Sequence, residues 1–139
     1  MSVRFPAADR RFSGEPVAEI LIIDDSPTDV RVLTTLLERA GHQVASVGNA
    51  EEGIERVRST PPALVIMDVI MPGMNGFQAT RTLTRDPATS EVPIVMITTK
   101  AMETDRVWGL RQGARAFITK PVNEGELLAC INQLLSSAA

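Results

Sequence analysis

The chain has 139 residues, 44% hydrophobic and 22% charged, and its 17 Asp and Glu outnumber its 14 Lys and Arg to give a net charge of -3. That length suits one compact core, and the acidic balance excludes a broad basic face for nonspecific nucleic-acid binding. No apolar run approaches the ~20 residues of a membrane span, no signal-peptide core opens the chain, and the lone Cys130 cannot form an internal disulfide, so a reducing, cytoplasmic setting without membrane insertion is expected.

Residues 1–17 carry Pro6, Gly14, Pro16 and scattered charge without periodicity. They are expected to form a flexible leader, with 18–139 as the folded domain. Glu19-Ile-Leu-Ile-Ile23 then reads as a buried strand, ended by Asp24-Asp25. Ser26-Pro27-Thr28-Asp29 supplies an N-cap, a proline at the first helical position and an acid at the third. Val30, Leu33, Leu36, Leu37 and Ala40 form one apolar face that stops at Gly41. Gln43 to Val47 is a short second strand, and Asn49 caps a second helix with Ile54 and Val57 inward, stopped by Pro61-Pro62.

Ala63-Leu-Val-Ile-Met67 is the third strand, with Asp68 at its end. The turn-rich Met71-Pro72-Gly73-Met74-Asn75-Gly76 leads into a helix through about Arg85. Strand four, Ile94 to Ile97, ends at Thr98, and a weaker helix carries Val107, Trp108 and Leu110 to Gly113. Strand five is Ala116 to Thr119, followed by Lys120. Asn123 caps a last helix whose apolar stripe is Leu127, Leu128, Ile131, Leu134 and Leu135. Five strand–helix units with right-handed crossovers make an α/β, doubly wound parallel sheet with helices on both faces.

In such a sheet the strands' carboxyl ends share one edge, where ligands bind. Asp24, Asp25, Asp68, Thr98 and Lys120 all lie at that edge. Singly, each has an ordinary explanation as a helix-entry cap, a turn former or a solvated strand end; together their convergence points to a site. Three carboxylates held together repel one another, so a cation is required, and the hard divalent ion Mg²⁺ is the first candidate. A carboxylate such as Asp68 can then attack phosphorus. His42, in a turn between helix and strand, is expected to lie far from this site. Met67, Met71, Met74 and Met96 are expected in core and loop packing, Cys130 in the core, and Trp108 either in the core or as an exposed anchor for a partner.

Over Ala18 to Leu135 the chain resembles the receiver domain of two-component response regulators. Asp24-Asp25 matches that family's acidic pair, Met67-Asp-Val-Ile-Met-Pro72 its phospho-acceptor strand, Thr98 its switch hydroxyl, Phe117 its switch aromatic and Lys120-Pro121 its lysine and proline. The segments Glu103 to Ala114 and Phe117 to Val122 further resemble the stand-alone receivers of twitching-motility chemosensory systems, the PilH type. The resemblance implies a flavodoxin-like sheet of order 2-1-3-4-5 with five helices. It implies phosphorylation of Asp68 by a histidine kinase, with Mg²⁺ held by Asp25 and Asp68 directly, Asp24 through water and the Ile70 backbone carbonyl. Lys120 would pair with Asp68 before the reaction. The output would be a changed protein contact, or self-association, on the helix around Thr104 to Gln112, strand five and the last helix.

This makes the chain a signalling switch rather than an enzyme, assisting only its own phosphorylation and slow dephosphorylation. A phosphate sink for a parallel receiver is the alternative role. Two departures from the family pattern stand out. Ile70 has no polar group to orient a hydrolytic water, and Phe117 replaces the frequent Tyr. Other classes on related folds fit worse. An FMN electron carrier would not open its phosphate loop with Asp24-Asp25, and a Mg²⁺ phosphohydrolase using an aspartyl phosphate needs an acid at position 70. A DNA-binding regulator would need a further domain after Leu135.

Overall fold

Strand and helix alternate five times in the computed structural model, which describes residues 17–99 and 102–137. In chain order these are β1 (Glu19–Ile23), α1 (Pro27–Arg39), β2 (Gln43–Val47), α2 (Ala50–Ser59), β3 (Leu64–Asp68), α3 (Gly76–Arg85), β4 (Ile94–Thr98), α4 (Glu103–Arg111), β5 (Ala116–Thr119) and α5 (Glu124–Ser137). The expected leader, apart from Val17, lies outside the described residues. All strand pairs are parallel, in the order β2-β1-β3-β4-β5, as expected.

Successive strand residues point to opposite faces, so a strand covered on both sides must be apolar throughout. In β1, Ile20 and Ile22 join Leu33 and Leu37 of α1 and Leu127 and Ile131 of α5 on one face. On the other face, Leu21 and Ile23 pack with Ile54 and Val57 of α2 and Ala79 and Leu83 of α3. β3 and β4 are buried along their whole length. Burying each such side chain contributes about 1.5–3 kcal/mol.

The helices begin where short polar side chains satisfy their first N–H groups. Ser26 Oγ accepts from the Asp29 N–H (3.2 Å), Asn49 from Glu52 (2.8 Å), Asn75 from Gln78 (2.9 Å) and Asn123 from Glu126 (2.9 Å). At Asn75 the Gln78 side chain also accepts from the Asn75 N–H, closing a capping box.

α4 differs from the rest. It has no side-chain cap, and Gly109 is its one buried residue. Val107, Trp108 and Leu110, its large apolar side chains, are 42%, 49% and 39% exposed, as is the neighbouring Met102 at 68%. The backbone at Gly109 instead meets the sheet directly. A Cβ there would lie 2.8 Å from Met96 Sδ and 3.1 Å from the Phe117 ring.

Candidate functional site

The chain order reverses between β1 and β3, and their carboxyl ends open a crevice there. Asp24 and Asp25 follow β1 directly, while Asp68 and Thr98 are the final residues of β3 and β4. One carboxylate oxygen from each of Asp24, Asp25 and Asp68 can be chosen so that all three lie within 4.8 Å of one another. Asp24 and Asp68 are buried and Asp25 is exposed.

Local structure fixes each position. Asp24 Oδ1 accepts from the Ser26 N–H at 2.9 Å, which turns the chain into the capped start of α1. Beyond Asp68, the Gly76 N–H donates to the Val69 carbonyl at 2.9 Å, drawing the start of α3 against the loop. A Cβ on Gly76 would land on the Asp68 carbonyl oxygen and 2.8 Å from Val69 Cα. That approach is backbone on backbone, so position 76 accepts glycine only. Lys120 follows β5, its N–H donating to the Thr98 carbonyl at 2.8 Å.

The Lys120 ammonium reaches into the crevice. It lies 2.7 Å from Asp29 Oδ2, 3.2 Å from Asp24 Oδ2 and 3.6 Å from Asp68 Oδ1. The expected pairing with Asp68 is thus present but is the longest of the three. The shortest partner, Asp29, reads in the sequence only as a first-turn acid of α1. Its contact with a residue 91 positions away leaves no local signal.

The electrostatics record an imbalance of charge. Burial pushes the Asp68 carboxyl up to about 6, and the charge of Asp24 adds to this; Lys120 and the Ile70 backbone N–H pull the other way, and Asp25 raises it further. Partial burial works against the Lys120 ammonium, yet the bond to Asp29 and the charges of Asp68 and Asp24 hold its pKa above the ordinary value. One lysine does not neutralise the carboxylates around it. All-oxygen donors of this kind suit a hard divalent ion such as Mg²⁺.

The remaining expected positions fall as follows. Thr98 is fully buried, and its strand neighbour is Thr119. Phe117 is 9% exposed, packed with Val69, Met96 and Ala114 beneath α4. The Ile70 side chain is 53% exposed and offers only hydrocarbon. Met67, Met71 and Met96 are buried, and Met74 packs partly buried against the core. Cys130 is half-buried against the α1–α5 side of the sheet. His42 lies at the opposite edge, where its Nδ1 accepts from the Ala18 N–H at 3.2 Å, just before β1 begins. Among the described residues no helix is long and apolar enough to cross a membrane.

Residues 20–132 match the family model of the response regulator receiver domain. The protein PilH of Pseudomonas aeruginosa is 53% identical over 120 residues, covering 86% of this chain and 99% of PilH. The DNA-binding response regulator MtrA of Mycolicibacterium smegmatis is 39% identical over 116 residues, 84% of this chain and 50% of MtrA, so the chain spans half of that relative. Two solved structures are similar. A CheY-like receiver domain protein from Methanospirillum hungatei has a TM-score of 0.81 at 28% identity, with 88% of this chain and 97% of that one covered. The Vibrio cholerae chemotaxis protein CheY4 has a TM-score of 0.79 at 26% identity, with 86% and 99% covered.

Proposed function

The chain belongs to the response regulator receiver domain family, and from that premise we propose that residues 18–139 act as a switch that takes a phosphoryl group on Asp68 from a histidine kinase. The observation that carries the reading is the crevice itself, with three carboxylates from the ends of β1 and β3 within 4.8 Å and the Lys120 ammonium among them.

Asp24, Asp25 and Asp68, with the Ile70 backbone carbonyl, are the groups that would hold Mg²⁺, which when bound neutralises charge on the transferring phosphoryl oxygens. An ionised Asp68 oxygen attacks phosphorus as the bond to the donor's imidazole nitrogen breaks, leaving the electron pair on that nitrogen and an acyl phosphate on Asp68. Lys120 contributes a compact positive charge to one phosphoryl oxygen, and the Thr98 hydroxyl donates to another. Ile70 cannot activate a water, which supports slow self-dephosphorylation and counts against a phosphohydrolase. The acidic turn after β1 counts against a flavin phosphate site.

The output surface in this reading is α4, β5 and α5, where Met102, Val107, Trp108 and Leu110 are exposed and where a protein target, or a second copy, would dock. The likeness to PilH supports a cytoplasmic role in type IV pilus motility or chemosensory signalling. A phosphate sink for a parallel receiver rests on the same chemistry.

The test is phosphorylation by acetyl phosphate with and without Mg²⁺, in wild type and two variants. Asp24 already engages both oxygens, with the Ser26 N–H and Lys120, whereas Asp25 faces solvent. Asp25→Ala should therefore weaken Mg²⁺ binding and phosphorylation together, by about tenfold or more, and Asp24→Ala should weaken Mg²⁺ binding less. Unchanged Mg²⁺ titration in Asp25→Ala would refute the ligand scheme, and a wild-type chain that takes no phosphoryl group would refute the switch.

A further inference from the structure

Three carboxylates surround Lys120, and one of them stands outside the acidic trio. Asp29 is held in the first turn of α1, after Pro27 and with its N–H capped by Ser26. Its Oδ2 is the nearest acceptor to Lys120 Nζ, at 2.7 Å against 3.6 Å for Asp68 Oδ1. The Lys120 side chain is 13% exposed and that of Asp29 39%, so Asp29 is the solvent-facing member of the pair. A cavity lined by Asp29, Val32, Leu33, Lys120, Pro121 and Val122 lies on the α1 side of the lysine stem, where Asp29 holds it.

We propose that Asp29 is a positioning residue that holds the Lys120 ammonium on the α1 side of the site, away from Asp68, until a phosphoryl group draws it across. The inference rests on the switch reading above. Its consequence follows from charge. Before reaction, Asp29 weakens the direct Lys120–Asp68 pair and leaves the acceptor oxygen less engaged. After reaction, Asp29 loses its partner and faces a group bearing about -1.5 to -2 charges. The freer acceptor oxygen favours reaction, but the lost 2.7 Å pair and the new repulsion favour the unphosphorylated form and outweigh it, so Asp29 lowers the affinity of the site for a phosphoryl group.

Asp29→Asn keeps the shape and the helix position while removing the charge. With Mg²⁺ saturating, calorimetric titration with beryllofluoride, a phosphoryl mimic, should show tighter binding by about three- to tenfold than in wild type. Asp29→Glu should remain within about twofold of wild type. Removing any nearby negative charge would also favour an anion, so the effect is measured again in a Lys120→Met background. There the change caused by Asp29→Asn should largely vanish, because the lysine through which it acts is gone.

The ¹⁵N–¹H resonance of the Lys120 ammonium, read without Mg²⁺ or mimic, gives a second signature. Asp29→Asn should shift it and speed its exchange with water. Equal mimic affinity in wild type and Asp29→Asn, a gain that persists in full without Lys120, or an unmoved ammonium resonance would each overturn the positioning role. Failure of wild type to bind the mimic at all would instead count against the switch reading, and the ammonium resonance tests the Asp29 contact independently of it.

Discussion

Removing the charge at the centre of the site should stabilise the metal-free protein. In EDTA at about pH 7, Asp68→Asn is expected to exceed the wild-type chain in unfolding free energy by roughly 3 kcal/mol. The Asp68 carboxyl is raised to about 6 from an ordinary 3.8, so the folded state binds its proton more tightly than the unfolded chain does. The stability this proton contributes is fully present below about 3.8 and is lost as the pH rises through about 6. Asn resembles the protonated acid and does not titrate. The two proteins should therefore match in acid and diverge between these values. Urea unfolding of both across this range measures the difference, in which the titration of carboxylates remote from the crevice cancels. Added Mg²⁺ should narrow the gap by stabilising the wild type preferentially. Parallel pH profiles for the two proteins would contradict the charge imbalance inferred for the crevice.

Thr98→Ala should permit phosphorylation yet disconnect it from partner binding. Thr98 is buried at the end of β4, one position beyond the residue that registers with Asp68. Two residues before it, Met96 pairs with Phe117 of β5, and both touch the α4 backbone at Gly109. With no side chain at Gly109 to cushion the contact, a displacement of the Phe117 ring presses directly on α4 and on the exposed Val107 and Trp108 it carries. Loss of the hydroxyl removes the donor that would couple the phosphoryl group to this stack. Partner affinity with and without beryllofluoride is the measure. Wild type should show a change of about 5- to 150-fold, and Thr98→Ala little or none. A full change in the variant would reject the coupling and leave the phosphorylation chemistry standing.

The parts of the molecule legible in the sequence are those whose signal is local. Runs such as Leu64–Met67 are apolar at every position because helices cover both faces, and the caps at Ser26, Asn49 and Asn123 mark their helices within four residues. α4 is faint for a physical reason. Its contact with the sheet runs through Gly109, so its large apolar side chains mark the solvent face instead of the core. Convergence of the acidic trio could be anticipated from strand ends alone. The order of Lys120's partners could not, because it depends on where a side chain in α1 meets one after β5. Phe117 was legible as an aromatic at the switch position, but its packing beside Met96 and against Gly109 depends on the pairing of β4 with β5, which carries no local signal.

The most direct measurement is to locate the phosphoryl group chemically. After reaction with acetyl phosphate and Mg²⁺, borohydride reduction converts an aspartyl phosphate to homoserine, and peptide mass spectrometry identifies the residue altered. Conversion should occur at Asp68 alone and be absent in Asp68→Asn. Homoserine at another aspartate in the wild type, or undiminished phosphorylation of Asp68→Asn, would contradict the assignment of Asp68 as the acceptor.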